Sequence, residues 1–382
     1  MLAAGALWLA WKPGSRLAWL ACALGVLGPL LFAGDQLTQS VFMLVQCTLM
    51  LGAARLDTDD RERLVAPAMR ACTVAFYAIA AFHKLNVDFF DPTVSCAVGG
   101  VELLGDNWSV ALPDLGLAWP VLFIAVELGV AVAWATRPAF AVVLASAMHL
   151  PLTIVFAPAF AWILIPAWVW FFDDEDLAHY VATFRDKRVL AAGVVLGAIS
   201  AAFYFRDHWV PYPFWQLNEL LLWIVLVASA TALWRRGDRL RSRAPLRPLG
   251  WRAVWLVAMI VNASTPYLGL QFHHAGAMLS NLRIDRGCWN HLLVPELVRV
   301  REPYLRLDDA ADDAADPELA EVLETTLWHP AQLRAFLAEH CTEPRMVRID
   351  GARVDACELE LEGREGLFQT NLERRCPQQC IH

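Results

Sequence analysis

The chain reads as an all-α polytopic membrane helical bundle of about nine transmembrane helices, with a small α+β extracytoplasmic C-terminal tail. Three observations predict it. Of 382 residues, 58% are hydrophobic and 18% charged, with a mean hydropathy of +0.43, more apolar surface than a water-exposed fold of this size hides. Apolar runs recur as far as Leu270, each close to the roughly 20 residues that cross about 30 Å of hydrocarbon as a helix. Lysine and arginine gather in every second break between them, the asymmetry of cytoplasmic loops.

The runs lie at 16–34, 37–54, 66–87, 115–136, 139–156, 158–172, 189–206, 215–234 and 252–270. The first follows Lys12 and Arg16 as a secretory leader would. However, "LLFAGDQ" is a poor cleavage site and a second run follows at once, so the first is read as a helix. The sixth is short and holds Pro158 and Pro166. Cations fill the breaks around Lys12 and Arg16, from Arg55 to Arg70, at Arg137, from Arg185 to Arg188, and along 235–252. The alternate breaks hold Asp35, the stretch from Asp88 to Asp114, Ala157-Pro158 and "RDHWVPYP". The expectation is a multi-pass protein of the inner membrane, N-terminus cytoplasmic and everything after Leu270 outside. Membrane lipid is then its first partner. The net charge of -8 gives no sign of nucleic-acid binding, and the arginine-rich loop suits anionic headgroups.

The outer segment 88–114 is too long for a turn and reads as an interfacial helix, with Trp108 and Trp119 at headgroup depth. The transmembrane domain is placed at 10–295, an acidic connector at 296–317 and the tail at 318–382. In the tail, 318–340 has helical periodicity. Asp350-Gly351 between alternating apolar residues signals a hairpin. Cys22, Cys47 and Cys72 fall inside runs as small packing residues, whereas Cys96, Cys288, Cys341, Cys357, Cys376 and Cys380 all fall on the outer side. An even number there suggests disulfides, with Cys96 to Cys288 the favoured pairing. "CPQQC" at the end is alternatively a metal or redox pair.

Ionisable residues are not scattered evenly. His83, Lys84 and Asn86 close the third run, His149 lies in the outer half of the fifth, and His208 follows the seventh. Asn218 and Glu219 open the eighth, and His273 and His274 follow the ninth, so several helices bring polar groups to one outer-leaflet depth. Glu127 alone sits nearer the middle. A charge in a span costs roughly 2.5–3.5 kcal/mol at its centre and therefore faces a cavity or another polar group. The plainer alternatives are snorkelling for Lys84, packing for each histidine and an interhelical bond for Glu127. The repeated histidine clusters of membrane di-iron enzymes are absent, so no metal is expected; G-x-S-x-G and H-E-x-x-H are absent too.

Three segments then carry a resemblance. "FYAIAAFHKLNVDFFDPTVSCAV", "MHLPLTIVFAPAFAWILIPAWVWFF" and "PYLGLQFHHAGAMLSNLRIDRGCWNHLLVP" resemble, in order, signatures of the HTTM family, the membrane domain shared with vitamin K-dependent gamma-carboxylase. The resemblance is to the bacterial type. It implies a lyase-like chemistry on a reduced, vitamin K-type quinone, with Lys84 at the position of the family's base. His149 matches the histidine of the family's F-H helix. An amine against apolar surface is disfavoured as ammonium, which suits proton abstraction. The large lumenal domain that grips a propeptide in the carboxylase has no equivalent among the roughly 110 residues after the last run, which puts glutamate carboxylation in doubt.

Two functions follow. One is a quinol-dependent membrane enzyme with Lys84 as general base, His83, His149 and His273 as partners, and Asn86, Glu127 and His274 around the quinone. The other is a non-catalytic factor that binds, matures or exports a secreted peptide. Transport fits less well, because no repeated halves with interrupted helices are evident.

Overall fold

The computed structural model describes residues 2–380 apart from 13, 34–38, 156–159, 208–212, 237–248, 271–274, 278, 303, 309–316, 341–345, 350–351, 359–370 and 378. Apolar runs rich in Ala, Leu and Val build α1 (Leu2–Trp11), α2 (Arg16–Ala33) and α3 (Ser40–Arg55). Asp57 then accepts from the Asp60 amide at 2.9 Å, capping α4 (Thr58–Leu64). Pro67 sits in the first turn of α5 (Ala66–His83), where its missing N–H does no harm. α6 (Val87–Phe90) and α7 (Cys96–Trp108) are capped by Asn86 and Ser95. There follow α8 (Ala118–Thr136), α9 (Pro138–Val155), α10 (Phe160–Trp168), α11 (Asp174–Arg185), α12 (Lys187–Asp207), α13 (Pro213–Arg236) and α14 (Ala253–Ser264).

The expected nine crossings are not what the helices provide. Among the described residues, Ala118–Thr136 and Leu217–Arg235 are long and apolar enough to cross a membrane, and a third crossing results if α4 and α5, bent by 46°, make one broken span. Ser40–Arg55, with 16 residues, rises about 24 Å against about 30 Å of hydrocarbon, and α2 and α9 carry Pro29 and Pro151 in their interiors. α14 stops after 12 residues, because Pro266 and Gly269, at φ +72, turn the chain.

The largest apolar core joins α2, α3, α5, α8, α9 and α10 through Trp19, Met43, Met69, Trp134, Ala141 and Leu164. Trp19 stacks on Trp170 with centroids 4.3 Å apart. Where α12 meets α13, Gly193 and Gly197 lie so close to Ile224 and Leu220 that a Cβ would clash, the small-residue contact typical of closely packed apolar helices.

The segment after α14, called the outer segment for its place in the expected topology, is irregular where described and clamps onto the end of α5. Val87 donates to the Asn290 carbonyl and Leu292 to the Leu85 carbonyl, both at 2.9 Å. The tail is a helical pair, α15 (Pro317–Thr325) and α16 (Pro330–His340), with two small antiparallel sheets. In one, β1 (Thr326–Leu327) pairs with β4 (Leu372–Glu373). In the other, β2 (Met346–Ile349) pairs with β3 (Ala352–Asp355), Ile349 opposite Ala352, as a hairpin around Asp350-Gly351 requires; those two residues lie outside the described residues. Leu327 and Leu372 pack with Tyr267, Leu282 and Ile284, so the tail rests on the outer segment.

The favoured cysteine pairing is corrected. Cys96 bonds Cys380 and Cys288 bonds Cys376, with Cα atoms 4.8 and 5.9 Å apart. The end of the tail folds back over the outer segment, guided by Arg283, whose guanidinium is held by Asp285 at 2.7 Å and donates to the Glu373 carbonyl at 2.8 Å. "CPQQC" is therefore not an internal pair. Cys357 is also disulfide-bonded, and Cys341 lies outside the described residues. Disulfide mapping by mass spectrometry should recover peptides linking Cys96 to Cys380 and Cys288 to Cys376; a Cys96–Cys288 peptide would contradict this fold. Replacing Cys288 and Cys376 together by serine should destabilise the protein by about 2–5 kcal/mol in thermal unfolding.

Candidate functional site

The site is built where α5 ends. His83 closes the helix and Lys84 caps it, its amide donating to the Ala81 carbonyl at 3.2 Å. The cap leaves the Lys84 side chain among packed helices and only 4% exposed. α8 lies against α5 and brings Glu127 to it. Lys84 Nζ stands 2.9 Å from Glu127 Oε1, an ion pair with side chains 5% and 11% exposed. Nζ also donates to the Ala80 carbonyl at 3.4 Å. Lys84 does not snorkel, and Glu127 does bond a neighbouring helix, its partner being Lys84; the two charges are buried together, as charges in an apolar bundle must be.

Glu127 is also the one carboxylate in the wall of an apolar cavity of about 370 Å³. Gly100, Val101 and Leu104 of α7, Phe123 and Val126 of α8, and Met148 of α9 line it. The Oε2 atom of Glu127 is buried and accepts no hydrogen bond among the described residues. An acceptor left bare in a dry wall is expensive unless something supplies a proton donor. The arrangement sets a buried ion pair beside an apolar cavity of a size that holds a small apolar molecule.

The other expected site residues divide. His149 bonds the Tyr77 hydroxyl through Nε2 at 3.1 Å. Tyr77 lies two turns before Lys84 on the same face of α5, and Met148 beside His149 lines the cavity, so His149 belongs to the layer below the ion pair. His83 does not face it. Its Nδ1 accepts from the Tyr267 hydroxyl at 2.8 Å and its Nε2 donates to the Ala275 carbonyl at 3.2 Å, both ring nitrogens serving the fold. Asn86 is used up similarly: its amide donates to the His83 and Ser280 carbonyls at 2.9 and 2.5 Å, and its oxygen caps α6. His273 and His274 lie outside the described residues, as does His208. Among the described residues no group of three or more His, Cys, Asp or Glu is placed to hold a metal.

One organising residue escaped the sequence reading. His291 donates from Nε2 to the Phe82 carbonyl at 3.1 Å and accepts at Nδ1 from the amides of Val294 and Leu293 at 3.0 and 3.2 Å. It ties the outer segment to the last turn of α5, one turn from Lys84. Its place in "NHLLVP" is the only sign of this in the sequence, because the carbonyl it meets lies 209 residues away. Burial pushes its pKa below the usual histidine value, opposed by the bond to Phe82.

No protein-family model, curated protein or solved structure matches this chain.

Two outcomes follow from the geometry. Lys84→Met and Glu127→Leu should each destabilise the protein by about 3–5 kcal/mol, and the double variant should recover much of that loss, as measured by thermal unfolding in detergent. For His291, a lowered pKa means the fold gains full benefit above about pH 6.5, where both states are neutral, and loses it as pH falls and the unfolded chain takes up the proton first. The drop in melting temperature between pH 7.5 and 5 should be smaller in His291→Gln than in the wild type.

Proposed function

We propose that the chain is a membrane protein of the HTTM, gamma-carboxylase-like type that binds a reduced, vitamin K-type quinone at an extracytoplasmic-leaflet site. The observation that carries this reading is the buried Lys84–Glu127 pair at the wall of an apolar cavity, with Glu127 Oε2 accepting no hydrogen bond among the described residues. A cavity of about 370 Å³ lies within the range of small-ligand sites. A hydroquinone satisfies both demands, an apolar ring and a hydroxyl proton for the bare oxygen. Bound there, it supplies reducing power and an acidic hydroxyl.

The residues of this chain do the rest. Glu127 receives the hydroxyl and orients it. Lys84 holds the other oxygen, Oε1, at 2.9 Å and so fixes the carboxylate in place. In this reading the Glu127 carboxylate accepts the hydroxyl proton and becomes the carboxylic acid, and the Lys84 ammonium, 2.9 Å from Oε1, positions it for that transfer. Tyr77 and His149 stiffen the layer beneath, and Leu104, Phe123 and Val126 exclude water. The outer orientation rests on the arginine pattern and on the disulfides of the tail, which belong in an oxidising compartment.

Purified protein in lipid nanodiscs should bind a reduced naphthoquinone and, with dissolved dioxygen supplied as the oxidant, consume it. Lys84→Met and Glu127→Gln should each lower turnover about 100-fold or more, the range of a positioned acid–base group. Binding and turnover unchanged in both variants would refute the assignment. Two disulfides fix the tail over the outer end of the bundle, and this favours a second reading: a factor that holds a secreted peptide during maturation. Under that reading Lys84→Met lowers client secretion while no quinol is ever consumed.

A further inference from the structure

We propose that residues 292–300 form an apolar foot that sits among the lipids of the extracytoplasmic leaflet, so that the outer segment is a membrane-contacting element rather than one facing water. The stretch "LLVPELVRV" exposes Leu292 at 54%, Leu293 at 65%, Leu297 at 86% and Val300 at 79%. Four large aliphatic side chains stand exposed on nine residues that include one 3-10 turn, a ridge of apolar surface that water disfavours.

The ridge is fastened at both ends to the outer ends of membrane-core helices. At one end Leu292 donates to the Leu85 carbonyl, just past α5, whose Phe82 is itself 37% exposed. At the other, the amides of Val300 and Arg301 both reach the Leu268 carbonyl, at 3.2 and 3.3 Å, just past α14. Gly269 is required there, because a Cβ would collide with the Arg301 carbonyl. α14, just past whose end the stretch is bonded, also exposes apolar side chains, with Val257, Ile260 and Val261 53%, 50% and 59% exposed, as is Leu270 at 51%. Exposed apolar side chains on the helix and on the segment bonded beyond its end fit one solvent, the lipid.

The polar groups of the stretch agree with interfacial depth. Arg299 is bonded to Glu296 at 2.8 Å and to Glu302 at 3.0 Å, so its charge is balanced within the segment. Trp289 donates its indole N–H to the Val294 carbonyl at 2.7 Å, closing the loop behind the ridge, and a tryptophan of this kind is at home at headgroup level. A short apolar ridge with its polar backbone bonded inward is the shape of an interfacial anchor.

The test is depth-dependent fluorescence quenching of the full chain in vesicles of phosphatidylcholine and phosphatidylglycerol. Leu297→Cys and Val300→Cys are each labelled with bimane; the described native cysteines are buried or disulfide-bonded. Val132→Cys on the exposed face of α8 serves as the lipid-facing control and Glu321→Cys in the tail as the aqueous one. The foot predicts that brominated phosphatidylcholine quenches both ridge labels at least half as strongly as the Val132 label, and iodide far less than the Glu321 label. Ridge labels quenched by iodide like Glu321 and untouched by brominated lipid overturn the proposal and leave the ridge as a surface for a protein partner. A Val132 label that also escapes the brominated lipid overturns the membrane reading itself, and the foot with it.

Discussion

An ammonium and a carboxylate share one dry position between α5 and α8, and each is tolerable there only because of the other. Removing a lone charge from water costs several kcal/mol even after relaxation, and the attraction between partners repays it only at close range and good geometry. The 2.9 Å contact between Lys84 and Glu127 meets that condition. It also dictates what surrounds it. α5 must end at His83 so that Lys84 falls at the cap, and α8 must lie close enough for Glu127 to reach across. The lysine takes one carboxylate oxygen, and the other lies buried with no hydrogen bond among the described residues.

Holding the end of α5 in place falls to neutral polar side chains, not to more charge. His83, Asn86 and His291 bond backbone carbonyls and amides of the loop that follows α14, so that the last turn of α5 is enclosed by chain more than 180 residues away. These three are buried and satisfied. Such a network gives little net stability per bond but penalises every other arrangement, because each displaced group would be left buried without a partner. The outer histidines therefore act as the frame of the site, and His149 alone among the described ones reaches toward the chemistry, through Tyr77.

How much of this could be read in the residues depends on range. The cores of α5, α8, α9, α12 and α13 lie within a few residues of the apolar runs, because helix periodicity and flanking polar residues are local signals. The hairpin of β2 and β3 was legible for the same reason. The crossing count was not, since hydropathy in a run does not say where the helix stops: 252–270 looks continuous, yet α14 ends at Ser264 before Pro266. α1 and the amphipathic α11 were also missed, α1 because it precedes the first counted run and α11 because its charges mask its apolar side. Lys84 and Glu127 were each legible as buried polar residues, but not their meeting, as no local rule joins residues on separate helices. The disulfides fail for the same reason more sharply, Cys96 and Cys380 being 284 positions apart.

That long-range bond makes the tail part of the site rather than an appendage. Cys96 is the first residue of α7, and Gly100, Val101 and Leu104 on the following two turns line the cavity. The strap from Leu372 to Cys380 is gripped by Arg283, bonded at Cys376 to the outer segment and ended at Cys380 on that helix. One wall of the cavity is thus covalently joined to the tail, while the facing wall carries the ion pair that His291 and Asn86 hold in register. Cavity shape and charge placement are set by the same outer layer, so a disturbance of the tail reaches Glu127 through α7 packing without touching any residue of the pair.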